Sequence, residues 1–302
     1  MGEPERRTPR VTPRGFGARF AWRLAGSLRI VHPFPSALDG LAVASIALVA
    51  GAEPGTAARL ALAMLCFQFA IGVTNDLADM PSDRLTHPGK PLVSGALVPG
   101  EALGVLILAL SVAVVVAASV GLGALAIGLV GLADGLLYDL RLKNTPFAWL
   151  AFAAGVGLLP VYAWFGATDG LPPALVVVAG MAILAGAALA FANALADLER
   201  DAAAGTRTVA TMLGRDRTVA ADVGLVALLQ GVVVATSVLN GPEPAPIAAE
   251  VAGACIGWAG LRVTAARREG LRRLGWELQA VAIAIMGIGW LAALSSAGSL
   301  GR

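Results

Sequence analysis

The chain has 302 residues, of which 57% are hydrophobic and 14% charged, and its formal net charge is +2. Soluble domains are about 45–50% apolar and roughly 25% charged, so this composition excludes an ordinary water-soluble globule. The mean hydropathy of +0.77 indicates a polytopic membrane protein, and no feature of the sequence favours nucleic-acid binding.

The first 32 residues are basic. They carry seven Arg and no apolar core of the kind a signal peptide has, so we interpret residues 1–32 as a cytoplasmic tail that leads into an interfacial helix. The rest of the chain, 33–302, contains nine stretches that meet or approach the ~20 apolar residues needed for a helical span. These are 33–52, 57–75, 101–119, 121–138, 147–165, 172–196, 217–239, 244–262 and 275–296.

Basic residues are unequally distributed between the two ends of these spans. All of the 22 Lys and Arg except Arg59 and Arg302 fall in the tail or in loops on one side. Because Lys and Arg concentrate in cytoplasmic loops, the pattern predicts that the N-terminus is cytoplasmic and the C-terminus lies outside.

An acidic motif occurs twice, 118 residues apart. The first acidic motif, Asn75-Asp-Leu-Ala-Asp-Met-Pro-Ser-Asp83, and the second acidic motif, Asn193-Ala-Leu-Ala-Asp-Leu-Glu-Arg-Asp201, are identical at five of nine positions. Each lies at the cytoplasmic end of a predicted span. The spacing therefore predicts two related helical bundles, a parallel repeat of the kind that some transporters also have.

The carboxylates of both motifs are candidates for a metal site. Asp76, Asp79 and Asp83 are spaced to share one helix face, and Asp197 and Asp201 are four residues apart. Like charges at these spacings repel, so a positive group must compensate. Mg²⁺ commonly takes one or two carboxylates together with substrate phosphates. Basic residues beside the motifs could bind a diphosphate: Arg84, Lys90, Lys143 and Arg207.

Pro81 lies inside the first acidic motif. Proline lacks the backbone N–H and clashes with the preceding turn, so we expect the motif to be interrupted rather than one continuous helix. A bend near Met80 would let Asp83 approach Asp79.

These residues resemble the signatures of the UbiA superfamily of intramembrane prenyltransferases. The first signature is similar to the first acidic motif followed by Lys90-Pro91 and Gly95, with Lys90 where the family usually has Arg. The second is similar to Asp197–Asp201 followed by 205–214. A third element is similar to Tyr138-Asp139 with Lys143.

The resemblance implies an all-α membrane protein with nine transmembrane helices in two pseudo-repeated bundles around a central cavity. It also implies Mg²⁺-dependent transfer of a prenyl group from an isoprenyl diphosphate to a hydrophobic acceptor, in most of the family an aromatic ring. The active-site loops would be 76–100 and 197–216. The implied metal ligands are Asp76, Asp79, Asp83, Asp197 and Asp201, and the implied catalytic set is Asp76, Asp79, Asp197, Asp201 and Lys143.

Other polar residues could contact the acceptor or line the cavity. An ionisable group inside a membrane is a functional candidate by default, although Arg29 could equally be a positive-inside anchor, and we expect His32 to be interfacial. The candidates are Asn75, Arg29, Gln68, Asp134, Tyr138, Asp139 and Asn193.

Two other functions remain open. A terpene cyclase of the same superfamily would ionise the same donor and quench the cation internally. A polytopic transporter could share the repeat, but transport sites concentrate near the membrane midplane, whereas both acidic motifs are predicted at one interface.

Overall fold

The computed structural model describes residues 15–241 and 243–300, and within these ranges every regular element is helical. The first half contains α1 (Phe16–Ile30), α2 (Pro33–Val49), α3 (Pro54–Thr86), α4 (Pro91–Ser94), α5 (Pro99–Val120), α6 (Leu122–Leu137) and a π-helical turn (Tyr138–Leu142). The second half contains α7 (Ala148–Thr168), α8 (Leu175–Ala196), α9 (Leu198–Ala203), α10 (Val209–Leu213), α11 (Arg215–Asn240), α12 (Pro244–Thr264) and α13 (Glu269–Ser296).

The helices are those of an integral, multi-pass membrane protein. By length and composition, eight of the described helices can cross a membrane, and a bent pair, α1 with α2, raises the number to nine. The two helices of that pair meet at 51°, and α2 alone has only 17 residues. The predicted first span therefore meets the criterion for crossing a membrane only when α2 is taken together with α1. Residues 1–14 of the predicted basic tail lie outside the described residues.

The predicted repeat is present in the packing as well as in the sequence. A shift of 118 residues moves α2 onto α7, α3 onto α8 and α9, and α5 onto α11. The neighbours correspond too: α2 packs on α3 as α7 packs on α8, and α3 packs on α5 as α8 packs on α11. Two pseudo-repeated bundles result, which contact each other through the packing of α2 on α7, α6 on α7 and α2 on α13.

The interruption expected at Pro81 is wrong, because α3 continues through it to Thr86. Proline removes one N–H···O=C bond, and helical hydrogen bonding still closes the end, where the His87 N–H bonds the Asp83 carbonyl at 2.8 Å. Pro81 is also exposed, so its ring displaces no packed neighbour.

The expected active-site loops are consequently more helical than predicted. The segment 76–100 begins as the last turns of α3 and includes α4, and 197–216 includes α9 and α10. The carboxylates of the first acidic motif are therefore fixed on one long helix rather than on a flexible loop.

Close packing between α3 and α6 brings a third segment to the first acidic motif. A Cβ at Gly135 would lie 2.4 Å from Ile71 Cδ1, and one at Gly128 would lie 2.6 Å from Phe67 Cε2. Only glycine permits this approach. It places the π-helical turn, which follows α6, beside the end of α3 that carries the first acidic motif. Such turns frequently occur at functional sites.

Candidate active site

Lys90 joins two carboxylates of the first acidic motif. Its Nζ lies 2.9 Å from Asp76 Oδ1 and 2.8 Å from Asp83 Oδ2, and these two aspartates are only 2% and 3% exposed. Burial disfavours the ammonium form, but the hydrogen bonds and charges of Asp83 and Asp76 outweigh it and raise the pKa of Lys90. Lys90 is therefore charged at neutral pH and neutralises this buried pair.

Lys143 contacts the same face of α3 from the segment after the π-helical turn. Its Nζ donates a hydrogen bond to Asn75 Oδ1 at 2.7 Å and lies 2.5 Å from Asp79 Oδ1. The side chain is 14% exposed. The three predicted residues Asn75, Asp79 and Lys143 are thus brought together, although they come from two different segments.

His32, which we expected from the sequence to be merely interfacial, contacts the first acidic motif. Its Nε2 lies 3.1 Å from Asp76 Oδ1, and its backbone is left-handed, with φ 48° and ψ 64°. This conformation is uncommon outside glycine, and strained residues of this kind cluster at functional sites. Gly72 makes the approach possible, because a Cβ there would lie 3.1 Å from His32 Cδ2. The available signal was the His-Pro step between two helices.

The second acidic motif is more open than the first. Asp197 forms the N-cap of α9, is 42% exposed at its side chain, and pairs with Arg200. Burial and the adjacent Asp197 carboxylate raise the pKa of Asp201 to about 6, although a hydrogen bond with Thr208 lowers it. Arg200 also contacts His87, which in turn contacts Asp83. Side chains therefore connect the two motifs.

Three predicted basic residues lie away from this cluster. Arg29, Arg84 and Arg207 are exposed. None of them forms an ion pair within 15–241 and 243–300. They remain predictions as diphosphate or acceptor contacts.

The remaining candidates lie beside or deeper than the motifs. Gln68 Nε2 donates to Asp39 Oδ2 at 2.6 Å, and Asp134 faces Gly155, where an added Cβ would lie 3.0 Å from Asp134 Oδ2. Their polar groups lie on spans that pack around the interior of the first bundle.

Tyr138, Asp139 and Asn193 complete the predicted set. Tyr138 packs edge-on against Phe152, with ring centroids 6.1 Å apart. Asp139 is 6% exposed, and its Oδ2 has no hydrogen-bond partner among the described residues. Asn193 is half-buried.

The carboxylates of the two acidic motifs have the chemistry that Mg²⁺ prefers, but they are not already assembled as a metal site. Carboxylate oxygens are the ligands that this hard cation prefers, and it commonly completes its shell with substrate phosphates and water. In the described part of the chain, no three His, Cys, Asp or Glu side chains converge as a metal site. Instead Lys90, Lys143 and Arg200 neutralise carboxylates of the two motifs.

An apolar groove of about 530 Å³ lies between α7, α8 and α11. Ile183 and Leu228 on its wall are 45% and 51% exposed, so the groove opens sideways from the helix bundle. It is lined by Trp149, Ile183, Leu184, Ala187, Phe191, Ala221, Gly224, Leu225 and Leu228.

Comparison with known proteins gives consistent matches. A family model described as the UbiA prenyltransferase family matches residues 40–279. A digeranylgeranylglyceryl phosphate synthase from Halobacterium salinarum is 29% identical over 198 residues, covering 65% of this chain and 71% of that protein.

Solved structures match the fold. The apo structure of a UbiA homolog from Aeropyrum pernix K1 matches with a TM-score of 0.70 and 20% identity, covering 84% of this chain and 96% of that one. A UbiA homolog from Archaeoglobus fulgidus bound to GPP and Mg²⁺ matches with a TM-score of 0.60 and 18% identity, covering 91% and 98%.

Proposed function

This chain belongs to the UbiA prenyltransferase family, and on that basis we propose that it transfers a prenyl group from an isoprenyl diphosphate to a membrane-resident acceptor with Mg²⁺ as cofactor. The observation that carries this proposal is the convergence of two acidic motifs with Lys90 and Lys143 at one end of the bundle. Carboxylates with adjacent ammonium groups are suited to a metal-bound diphosphate.

The division of the molecule into apolar spans and a charged end matches the donor. A prenyl diphosphate has a long apolar tail, which the spans can accommodate, and a charged headgroup, which belongs at the acidic motifs. When bound, Mg²⁺ supplies positive charge that stabilises the departing diphosphate. Lys90 and Lys143 carry the ammonium groups that can hold the phosphate oxygens in place.

In the reaction, the allylic C1–O bond of the donor breaks and its electron pair leaves on the diphosphate oxygen. The basic side chains favour this step because they stabilise charge that develops as the bond breaks. Burial of Asp76 and Asp83, at 2% and 3% exposure, keeps water from these two carboxylates, and the apolar spans would keep it from the allylic carbon of a bound donor. Exclusion of water protects the allylic cation from hydrolysis.

For the acceptor, we propose a glyceryl phosphate that offers a free hydroxyl. The hydroxyl oxygen would form a C–O bond to C1 and release one proton. Support comes from the relative in Halobacterium salinarum, whose name describes a glyceryl phosphate with two geranylgeranyl groups.

An aromatic acceptor is the second candidate. The Tyr138–Phe152 pair beside the π-helical turn offers ring surfaces for stacking. Here a ring carbon would bond to C1 and the ring would lose a proton.

The test uses purified protein in lipid with Mg²⁺, a series of prenyl diphosphates and both acceptor classes, with products identified by mass spectrometry. A prenyl ether of the glyceryl phosphate is the expected product, and EDTA should abolish it. Product only with aromatic acceptors would select the second candidate. Donor consumption without any acceptor would indicate the cyclase alternative.

A further inference from the structure

The helices that carry the two acidic motifs do not owe their spacing to packing against each other. Among the long helices, α3 packs against α2, α5, α6 and α7, whereas α8 packs against α7, α11, α12 and α13. The long helix α7 is shared by both groups. The distance between the two sets of carboxylates is therefore set indirectly by the helix packing, and side-chain contacts between the motifs can contribute to it.

A chain of side-chain contacts crosses between the motifs. Asp83 Oδ1 lies 3.1 Å from His87 Nδ1, His87 Nε2 contacts Arg200 Nη1, and Arg200 Nη2 contacts Asp197 Oδ1. His87 caps the end of α3, one turn after Asp83. Arg200 lies on α9 within the second acidic motif. The four residues form a continuous path from one motif to the other.

The two ring nitrogens of His87 face different motifs. Nδ1 faces the Asp83 carboxylate, and Nε2 faces Arg200, whose guanidinium group can only donate hydrogen bonds. The imidazole therefore links the two motifs, whereas the ammonium group of Lys90 contacts Asp76 and Asp83, which both belong to the first.

We propose that His87 and Arg200 form a cross-motif bridge that sets the spacing of the two acidic motifs for a shared metal–diphosphate headgroup. The proposal rests on the proposed function, and both residues act by positioning carboxylates rather than by contacting the reacting atoms. Arg200 also neutralises Asp197, so the bridge holds α9 and limits repulsion within the second motif.

A second contact anchors α9 from the opposite side. Glu199 pairs with Arg272 of α13, which is fully buried. Partial burial favours neutral Glu199, but the hydrogen bond and charge of Arg272 outweigh it and lower the pKa of Glu199. Because this contact ties α9 only to the second bundle, Arg200 supplies the link to the first.

A double-mutant cycle tests the bridge without relying on turnover. His87→Leu, Arg200→Leu and the double variant are melted in EDTA, with Arg217→Leu as the matched control because Arg217 is an exposed arginine on α11. We expect His87→Leu to lower the apparent melting temperature by about 3 °C and Arg200→Leu to lower it by at least as much, because its Asp197 ion pair is lost too. The double substitution should lower it no further than Arg200→Leu alone. Additive losses would overturn the bridge, because they would show that the residues act independently.

Conservative variants separate a connector from a charge. His87→Gln keeps one donor and one acceptor and should retain most of the melting temperature, whereas His87→Lys places a cation against Arg200 and should lose it. Arg200→Lys keeps the charge but has a single ammonium group in place of the two Nη atoms that contact His87 and Asp197. If Arg200→Lys matched the wild type and His87→Lys was harmless, no specific contact between residues 87 and 200 would be needed, and the bridge would be refuted.

A Mg²⁺ titration in the presence of a prenyl diphosphate gives the functional readout. Each bridge substitution should raise the Mg²⁺ concentration for the half-maximal thermal shift about tenfold, and the double variant should show the same factor. A wild type without any Mg²⁺-dependent shift would count against the proposed function, whereas the cycle in EDTA would still decide the bridge. If the wild type shows the Mg²⁺-dependent shift but the factors of the two single substitutions multiply in the double variant, the result would count against the bridge and not against the proposed function.

Discussion

Replacement of Lys143 is the sharpest test of how the donor is bound. Its ammonium group is 14% exposed and contacts Asn75 Oδ1 at 2.7 Å and Asp79 Oδ1 at 2.5 Å. One charge-assisted contact in such a site is worth about 1.5–3 kcal/mol. We therefore expect Lys143→Ala to lower kcat/KM for the prenyl donor roughly 10- to 150-fold.

The assay is steady-state product formation at saturating Mg²⁺ with protein confirmed to be inserted in the membrane. Lys143→Arg should retain part of the activity, because the charge is kept and the geometry changes. Arg141→Ala is the matched control, since Arg141 is exposed on the same segment and would serve as a positive-inside anchor. Unchanged donor kinetics in inserted Lys143→Ala protein would remove Lys143 from the site.

Three further predictions concern the carboxylates, the approach to α3 and the topology. Asp79→Ala or Asp197→Ala should abolish product formation in protein that still inserts and folds, with a modest fall in melting temperature because Lys143 or Arg200 loses its ion pair; near-normal turnover at saturating Mg²⁺ would exclude that residue as a ligand. Gly72→Ala should lower kcat/KM several-fold without loss of insertion, since the new Cβ lies 3.1 Å from an imidazole atom at the α1–α2 bend; wild-type kinetics would show that this imidazole is dispensable. In intact cells, an impermeant thiol reagent should label Thr168→Cys but not Gly89→Cys, and the reverse pattern would invert the predicted orientation.

The sequence predicted those parts of the molecule that depend on local periodicity. Apolar stretches of span length and the 118-residue repeat determine the number of spans and the equivalence of α3 and α8. The same pattern places Asp76 and Asp79 at one end of a span. Each of these features can be read within one helix or by comparing two, so no long-range packing information is needed.

What the sequence left undetermined depends on distant segments or on small energetic differences. The contact of His32 with Asp76 requires a left-handed residue at a helix junction and a glycine 40 positions later in the chain. The helix α3 continues through Pro81 because the cost of one lost backbone hydrogen bond is smaller than the stability of the helical turns on both sides of it. Arg84 has the right charge and position in sequence, but its side chain is exposed, because helix phase decides which way a residue faces.

The pairing of basic and acidic side chains explains how a diphosphate can enter so acidic a site. In the described structure, Lys90 and Lys143 already compensate carboxylates of the first acidic motif, so the buried charges are balanced before any substrate arrives. Under the proposed function, the lysines would turn to phosphate oxygens when the donor binds, and the carboxylates they release would be available to hold Mg²⁺. Because opposite charges would remain adjacent, neither partner would have to be buried alone, which would cost several kcal/mol per ion. The basic residues would therefore serve first to preserve the acidic site and then to hold the donor.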